Sequence, residues 1–230
     1  MMNFSGFKTK TVVVALSTVV AGSAFGYLGY SEYKEQGLRH EVTELVKDTS
    51  LRMHDALSVQ SVPTLAEQAN FLRRFYDHAE AVDGHFQKLH SMDVLPIAEL
   101  AGVVDDYVLT SREILLRRAS SHRYRLKLSG RIEALRHHMR ADDRTGAWVS
   151  EAIRAKERVE EDYRDYKLAI NALGTLLGSY PASRAKMAPY VDAALLIDES
   201  LIEKTHGRVL EAAKQAADEI EKARQLASYR

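Results

Sequence analysis

Apolar residues recur along most of this chain at intervals of three and four, the spacing of helices that bury one face. Leu38, Val42, Leu45, Thr49, Met53 and Leu57 form one such stripe, on a helix expected to run unbroken from Thr11 to about Ser58. The stretch SVQSVP breaks it, and Thr64 with Glu67 has the form of a capping box opening a second helix. Leu65, Phe71, Leu72, Phe75, Val82, Phe86 and Leu89 carry that helix to a stop near Ser91, Met92 and Asp93. Asp93 and Pro96 restart the chain as a third helix with no strong stop before Ala141 to Gly146.

The third helix changes character midway. Up to Leu116 it is apolar on two adjacent faces, with Val103, Tyr107 and Ile114 on one and Leu100, Val104, Val108 and Leu115 on the other. Beyond Ser120 a single stripe remains, made by Tyr124, Leu128, Ile132, Leu135 and Met139. A broad apolar face belongs inside a bundle, and a narrow seam belongs to a two-helix hairpin. Val159, Tyr163, Tyr166, Ile170, Leu173 and Leu177 supply the seam's partner on a fourth helix, expected from about Gly146 to Leu177 and closed by Gly178-Ser179-Tyr180-Pro181. A fifth is expected from Pro189 to the C-terminus through Leu201, Val209, Ala213, Ala216, Ile220 and Ala223. The fold class is therefore all-α: an N-terminal transmembrane helix, then an elongated antiparallel helical bundle whose hairpin over residues 120–160 overhangs the rest.

Residues Thr11 to Tyr30 hold no charged side chain. At roughly 1.5 Å per residue a helix of that length spans the ~30 Å hydrocarbon layer. Lys8 and Lys10 ahead of it make a short basic region that resembles an export signal. The expected layout is a cytoplasmic tail over 1–10, a single membrane anchor over 11–30 and a periplasmic bundle over 31–230, at a bacterial inner membrane. Gly22 and Gly26 form a small-xxx-small pair, the candidate face for membrane-helix packing. The alternative is a leader cleaved after Ala24, which would release a secreted soluble bundle.

Composition narrows the classes further. With 46% apolar and 28% charged residues, 12 Gly, 4 Pro and no Cys, the chain is neither low-complexity nor disulfide-stapled, and it has too little punctuation for an all-β sandwich. Thirty-two basic side chains balance 32 acidic ones, but unevenly. Residues 31–111 carry 7 basic and 14 acidic groups, residues 112–144 carry 10 and 4, and residues 145–230 carry 13 and 14. The basic middle segment nominates Arg117, Arg118, Arg123, Arg125, Lys127 and Arg131 as a partner-binding surface for an acidic protein or polyanion. The competing reading pairs them with Glu157, Glu160, Glu161 and Asp162 of the fourth helix.

Site chemistry is sparse. Glu203 and His206 make one half of the doubled motif that a di-iron bundle needs, and no second copy accompanies it. His78, His85 and His90 are spaced by seven and five, which does not bring three imidazoles to one ion. No phosphate-cradling loop or nucleophile motif is present. The expectation is a non-enzyme with no catalytic residues, cofactor, metal, small-molecule ligand or nucleic-acid partner. It would be a structural or accessory subunit contacting other envelope or membrane proteins, or a second copy of itself. A ligand-sensing module, similar in outline to periplasmic helical-bundle receptor domains, is the alternative. Taking Arg230 as the C-terminus, it would need a partner to relay the signal. A periplasm-active reporter fused after Arg230 is expected to be active and a cytoplasm-active one silent, and the reverse pattern would overturn this topology.

Overall fold

A computed structural model describes the backbone of residues 7–59, 65–140 and 146–228, and side chains over 32–59, 67–140 and 146–225. Five long helices follow in order: α1 (Phe7–Ser58), α2 (Leu65–Ser91), α3 (Ala98–Arg140), α4 (Gly146–Met187) and α5 (Glu199–Ser228), with short 3-10 turns before α3 and before α5. There is no strand among the described residues. Among them, too, no helix is long and apolar enough to cross a membrane. The run Thr11 to Tyr30, with Gly22 and Gly26, lies outside the residues whose side chains are described, as does the capping threonine Thr64.

The predicted stripes are the core. Val42, Met53 and Leu57 of α1, Phe75 and Val82 of α2, and Leu100, Val104, Val108, Ile114 and Leu115 of α3 are essentially inaccessible, so both apolar faces of the first half of α3 are covered. In its second half, Leu128, Ile132, Leu135 and Met139 are buried on one side only. They meet the antiparallel α4, whose Val159, Tyr166, Ile170, Leu173 and Leu177 complete the seam.

The hairpin α3/α4 is thus a spine, and the other helices lie against it. Along α3 as far as His122, α1 and α2 pack on it, with Ser50 of α1 bonded to Tyr107 and the Phe71 ring of α2 against His122. Helix α5 starts beside the end of α4, where Arg184 meets Glu199, and continues farther out, its Glu219 bonded to Arg125 of α3 and its Arg224 to Glu160 of α4. At the far end Trp148 and His138 clasp α3 to α4: the indole Nε1 donates to the His138 carbonyl at 3.1 Å, His138 Nε2 meets the Trp148 carbonyl at 3.0 Å, and the rings stack. The residues 141–145 between these helices lie outside the described set.

Two boundaries differ from expectation. Helix α4 does not close at Gly178-Ser179-Tyr180-Pro181 but continues to Met187 with Pro181 inside it. An interior proline costs about 3 kcal/mol, and tertiary burial offsets it. Tyr180 and Met187 on either side of the proline are fully buried, the Tyr180 ring packs on Tyr107, and Arg184 Nε donates to the Ile197 carbonyl. Helix α5 begins at Glu199, not Pro189, because Asp192 and Asp198 each cap a new turn, accepting from the backbone N–H of Ala194 and Ser200 respectively.

Helix α3 runs unbroken through Ser120-Ser121 and Ser129-Gly130. Ser121 is buried and donates back to the Arg118 carbonyl, while Gly130 faces open space with no atom near a would-be Cβ. Gly130→Ala therefore removes only a backbone-entropy penalty and is expected to stabilise the fold by about 1 kcal/mol, or ~2–4 °C in Tm, read by thermal unfolding.

Candidate functional site

The basic segment of α3 divides by helical face. Arg112 points at Asp83 of α2 (2.7 Å) and Arg117 at Glu113 one turn back (3.5 Å). Lys127 and Arg131 share one face and close on Asp162 of α4 at 2.6 and 3.3 Å. Asp162 is 4% exposed, so these two cations neutralise a carboxylate that would otherwise be buried alone, and the same carboxylate holds the Lys127 ammonium above its ordinary value. Arg125 makes a bidentate pair with Glu219 of α5 at 2.9 and 2.6 Å, its guanidinium also over the Tyr166 ring. That fork is worth on the order of 1 kcal/mol at this partial exposure.

Of the six nominated residues, three therefore hold the bundle together: Arg125, Lys127 and Arg131 bind carboxylates of α4 and α5. Arg123 is exposed and lies near the ring of Tyr124 beside it. Arg118 is turned inward, and burial, reinforced by Arg208 nearby, pushes its guanidinium below the ordinary range. The pairing does not run along the acidic stretch as a block. Asp162 takes two cations, and Glu160 goes to Arg224 of α5.

A second arrangement was not foreseen. Between α1 and α2, histidine–aspartate pairs repeat every seven residues. His78 Nε2 meets Asp55 at 2.9 Å, and His85 Nε2 meets Asp48 at 2.9 Å. Arg74 also binds Asp55, holding its carboxyl below the usual range, and Lys88 binds Glu41 another seven residues along α1. His85 Nδ1 lies 3.0 Å from the buried Thr49 hydroxyl. A neutral His85 with its proton on Nε2 donates to Asp48 and accepts from Thr49, so both nitrogens are used without charge. His90 sits apart, on the Phe86 carbonyl, and among the described residues no group of three or more metal-ligating side chains comes together. His206 packs against Gly178 of α4, away from any second histidine motif. The heptad spacing of Asp48, Asp55, His78 and His85 was visible in the sequence, but only the antiparallel register of α1 on α2 gives it meaning.

Comparison with family models, curated proteins and solved structures gives no match to this chain. Its class is therefore stated from the structure alone: an all-α bundle built on one long hairpin.

Burial pushes His85 below its ordinary value, outweighing the opposing pull of Asp48, and Arg52 and Lys88 add to the lowering. His122 is lowered by burial and by Arg118. Below about pH 6.5 the unfolded chain takes up protons more readily than the folded one at these positions, so their stabilisation is full above that pH and is lost as pH falls. Tm is expected to decline from pH 7.5 to about 5.5. Imidazole NMR titration should place both groups below free histidine, and values at or above it would refute this assignment.

Proposed function

We propose that this chain is a single-pass inner-membrane structural or accessory subunit of a cell-envelope assembly, without catalysis of its own. The N-terminal apolar run would anchor it, and the α3/α4 hairpin would reach a protein partner in the periplasm. The observation that carries this reading is the hairpin's form. It extends past the reach of α1 and α2, is tied by the Trp148–His138 clasp, and leaves Val149 and Ile153 beside that clasp 47% and 54% exposed. Arg123 on the same arm has no ion-pair partner among the described residues, and Lys127 and Arg131 remain half exposed despite their pairing. An apolar tip with cationic flanks fits a protein surface that is apolar at the centre and acidic at the rim.

A ligand-sensing role is the second reading. It is favoured by an apolar groove of about 280 Å³ between the end of α2 and the start of α3, lined by Leu89, Met92, Val94 and Ala101, with Asp105 and His90 in its wall.

The test replaces Val149 and Ile153 by serine and Arg123 by glutamine together. These side chains are exposed, so stability is expected to change by no more than ~0.5 kcal/mol per site. Co-purification of partners from solubilised membranes should be lost, and with the parent chain it should weaken as salt is raised. Unchanged complex composition would refute the hairpin as the contact surface.

A further inference from the structure

Three inaccessible side-chain nitrogens on α3 and α5 have no hydrogen-bond partner among the described residues, and Arg118 lies close to both of the other two residues. Arg118 Nε, His122 Nε2 and Arg208 Nη1 are each buried and unbonded. Their convergence follows from the register. Helix α5 runs parallel to α3, fixed by the bidentate Arg125–Glu219 pair, and two turns back from that pair Arg118 comes level with Ala212, one turn from Arg208. His122 lies one turn from Arg118 on the same face of α3, its ring against Phe71 of α2, which closes that side. Tyr166 of α4 lies on the other, and the buried Thr205 hydroxyl, also unbonded, is one turn before Arg208.

The charge around these groups is one-sided. The neighbours acting on Arg118 are the Arg208 guanidinium and the neutral phenol of Tyr166, and no carboxylate is among them. Neither arginine forms an ion pair among the described residues, whereas Arg125, seven residues on, is fully paired. Guanidinium groups stay charged at any physiological pH, so two of them side by side and partly buried repel unless negative charge lies between them. Two fixed positive charges with an imidazole beside them match a dianion that offers several acceptor oxygens, while a single carboxylate would neutralise half of the pair.

We propose that Arg118, Arg208 and His122 form a site for a phosphate group, inorganic phosphate or a small phosphomonoester, held between α3 and α5. The two guanidiniums supply the charge and forked donors, and His122 donates through Nε2 once protonated beside the bound dianion. The site does not depend on the anchored-subunit reading, because it involves neither the membrane run nor the hairpin tip.

The experiment uses the full chain in nonionic detergent at pH 7.5 and constant ionic strength, exchanging chloride for inorganic phosphate, for glycerol 3-phosphate or for acetate. Inorganic phosphate is expected to raise Tm saturably, by about 3 °C at ten times its dissociation constant. Acetate should give little. A larger shift with glycerol 3-phosphate than with inorganic phosphate would identify the monoester as the fitting form. On the unmutated chain, phosphate should also raise the titration midpoint of the His122 imidazole. Arg118→Gln and Arg208→Gln should each abolish both effects without lowering the phosphate-free Tm, since each removes an unpaired buried charge. Equal Tm in phosphate and chloride with an unmoved His122 would overturn the proposal and leave a cluster solvated by water. An equal response in parent and both variants would overturn it by placing the binding elsewhere.

Discussion

Everything in this molecule hangs on the antiparallel seam between α3 and α4. Each helix is more than forty residues long, far beyond what backbone propensity holds straight alone, so continuous side-chain contact must stabilise both. Leu128, Ile132, Leu135 and Met139 facing Val159 and Tyr166 supply that contact where few other helices reach. Closer to α1, Tyr107 and Tyr180 take over as large buried rings, their hydroxyl ends clustered with Ser50 and Ser111. That polar cluster is incompletely bonded: Ser50 reaches Tyr107 at 2.7 Å, while the Tyr180 hydroxyl lies near Tyr107 and Ser111 without a hydrogen bond of good geometry to either. It fixes one alignment of α1, α3 and α4 more than it adds stability, because a shift along the seam would leave more buried hydroxyls unbonded.

Charge is used inside the bundle as much as on it. Asp162 is buried between two cations, and Glu219 is gripped by Arg125. On the α1/α2 side, aspartates on one helix face histidines on the other at heptad spacing. These contacts span different helix pairs, so each couples the position of one helix to another where apolar packing alone would tolerate sliding. They also reduce self-repulsion in a segment with ten basic and four acidic residues, because Arg112, Arg125, Lys127 and Arg131 pair with carboxylates of other helices.

Helix existence and the core faces were legible because they depend on local periodicity. Stripes such as Leu128 to Met139 or Val42 to Leu57 need only the sequence and a period near 3.6. Where Tyr180 lies could not be read locally. Gly178-Ser179-Tyr180-Pro181 is a stop signal by composition, and only the docking of Tyr180 on Tyr107, seventy-three residues earlier, overrides it. The start of α5 was legible in principle, since Asp198-Glu199-Ser200 is a good cap, but it was outweighed by Pro189. The destinations of the arginines were hidden for a deeper reason. One helical turn decides whether a cation meets Glu219, Asp162, solvent or another arginine, and the turn is set by the register between distant helices.

Because α2 gives way to α5 alone along the spine, the cross-section falls from four helices near Arg118 to three near Lys127 and to two at Trp148. Flexural rigidity grows steeply with the width of a beam, so the molecule tapers like a rod held at its thick end. Thermal bending then concentrates toward the tip. The base keeps its orientation while the last turns of the hairpin sweep a cone, which widens the volume the tip explores without loosening the core that carries it.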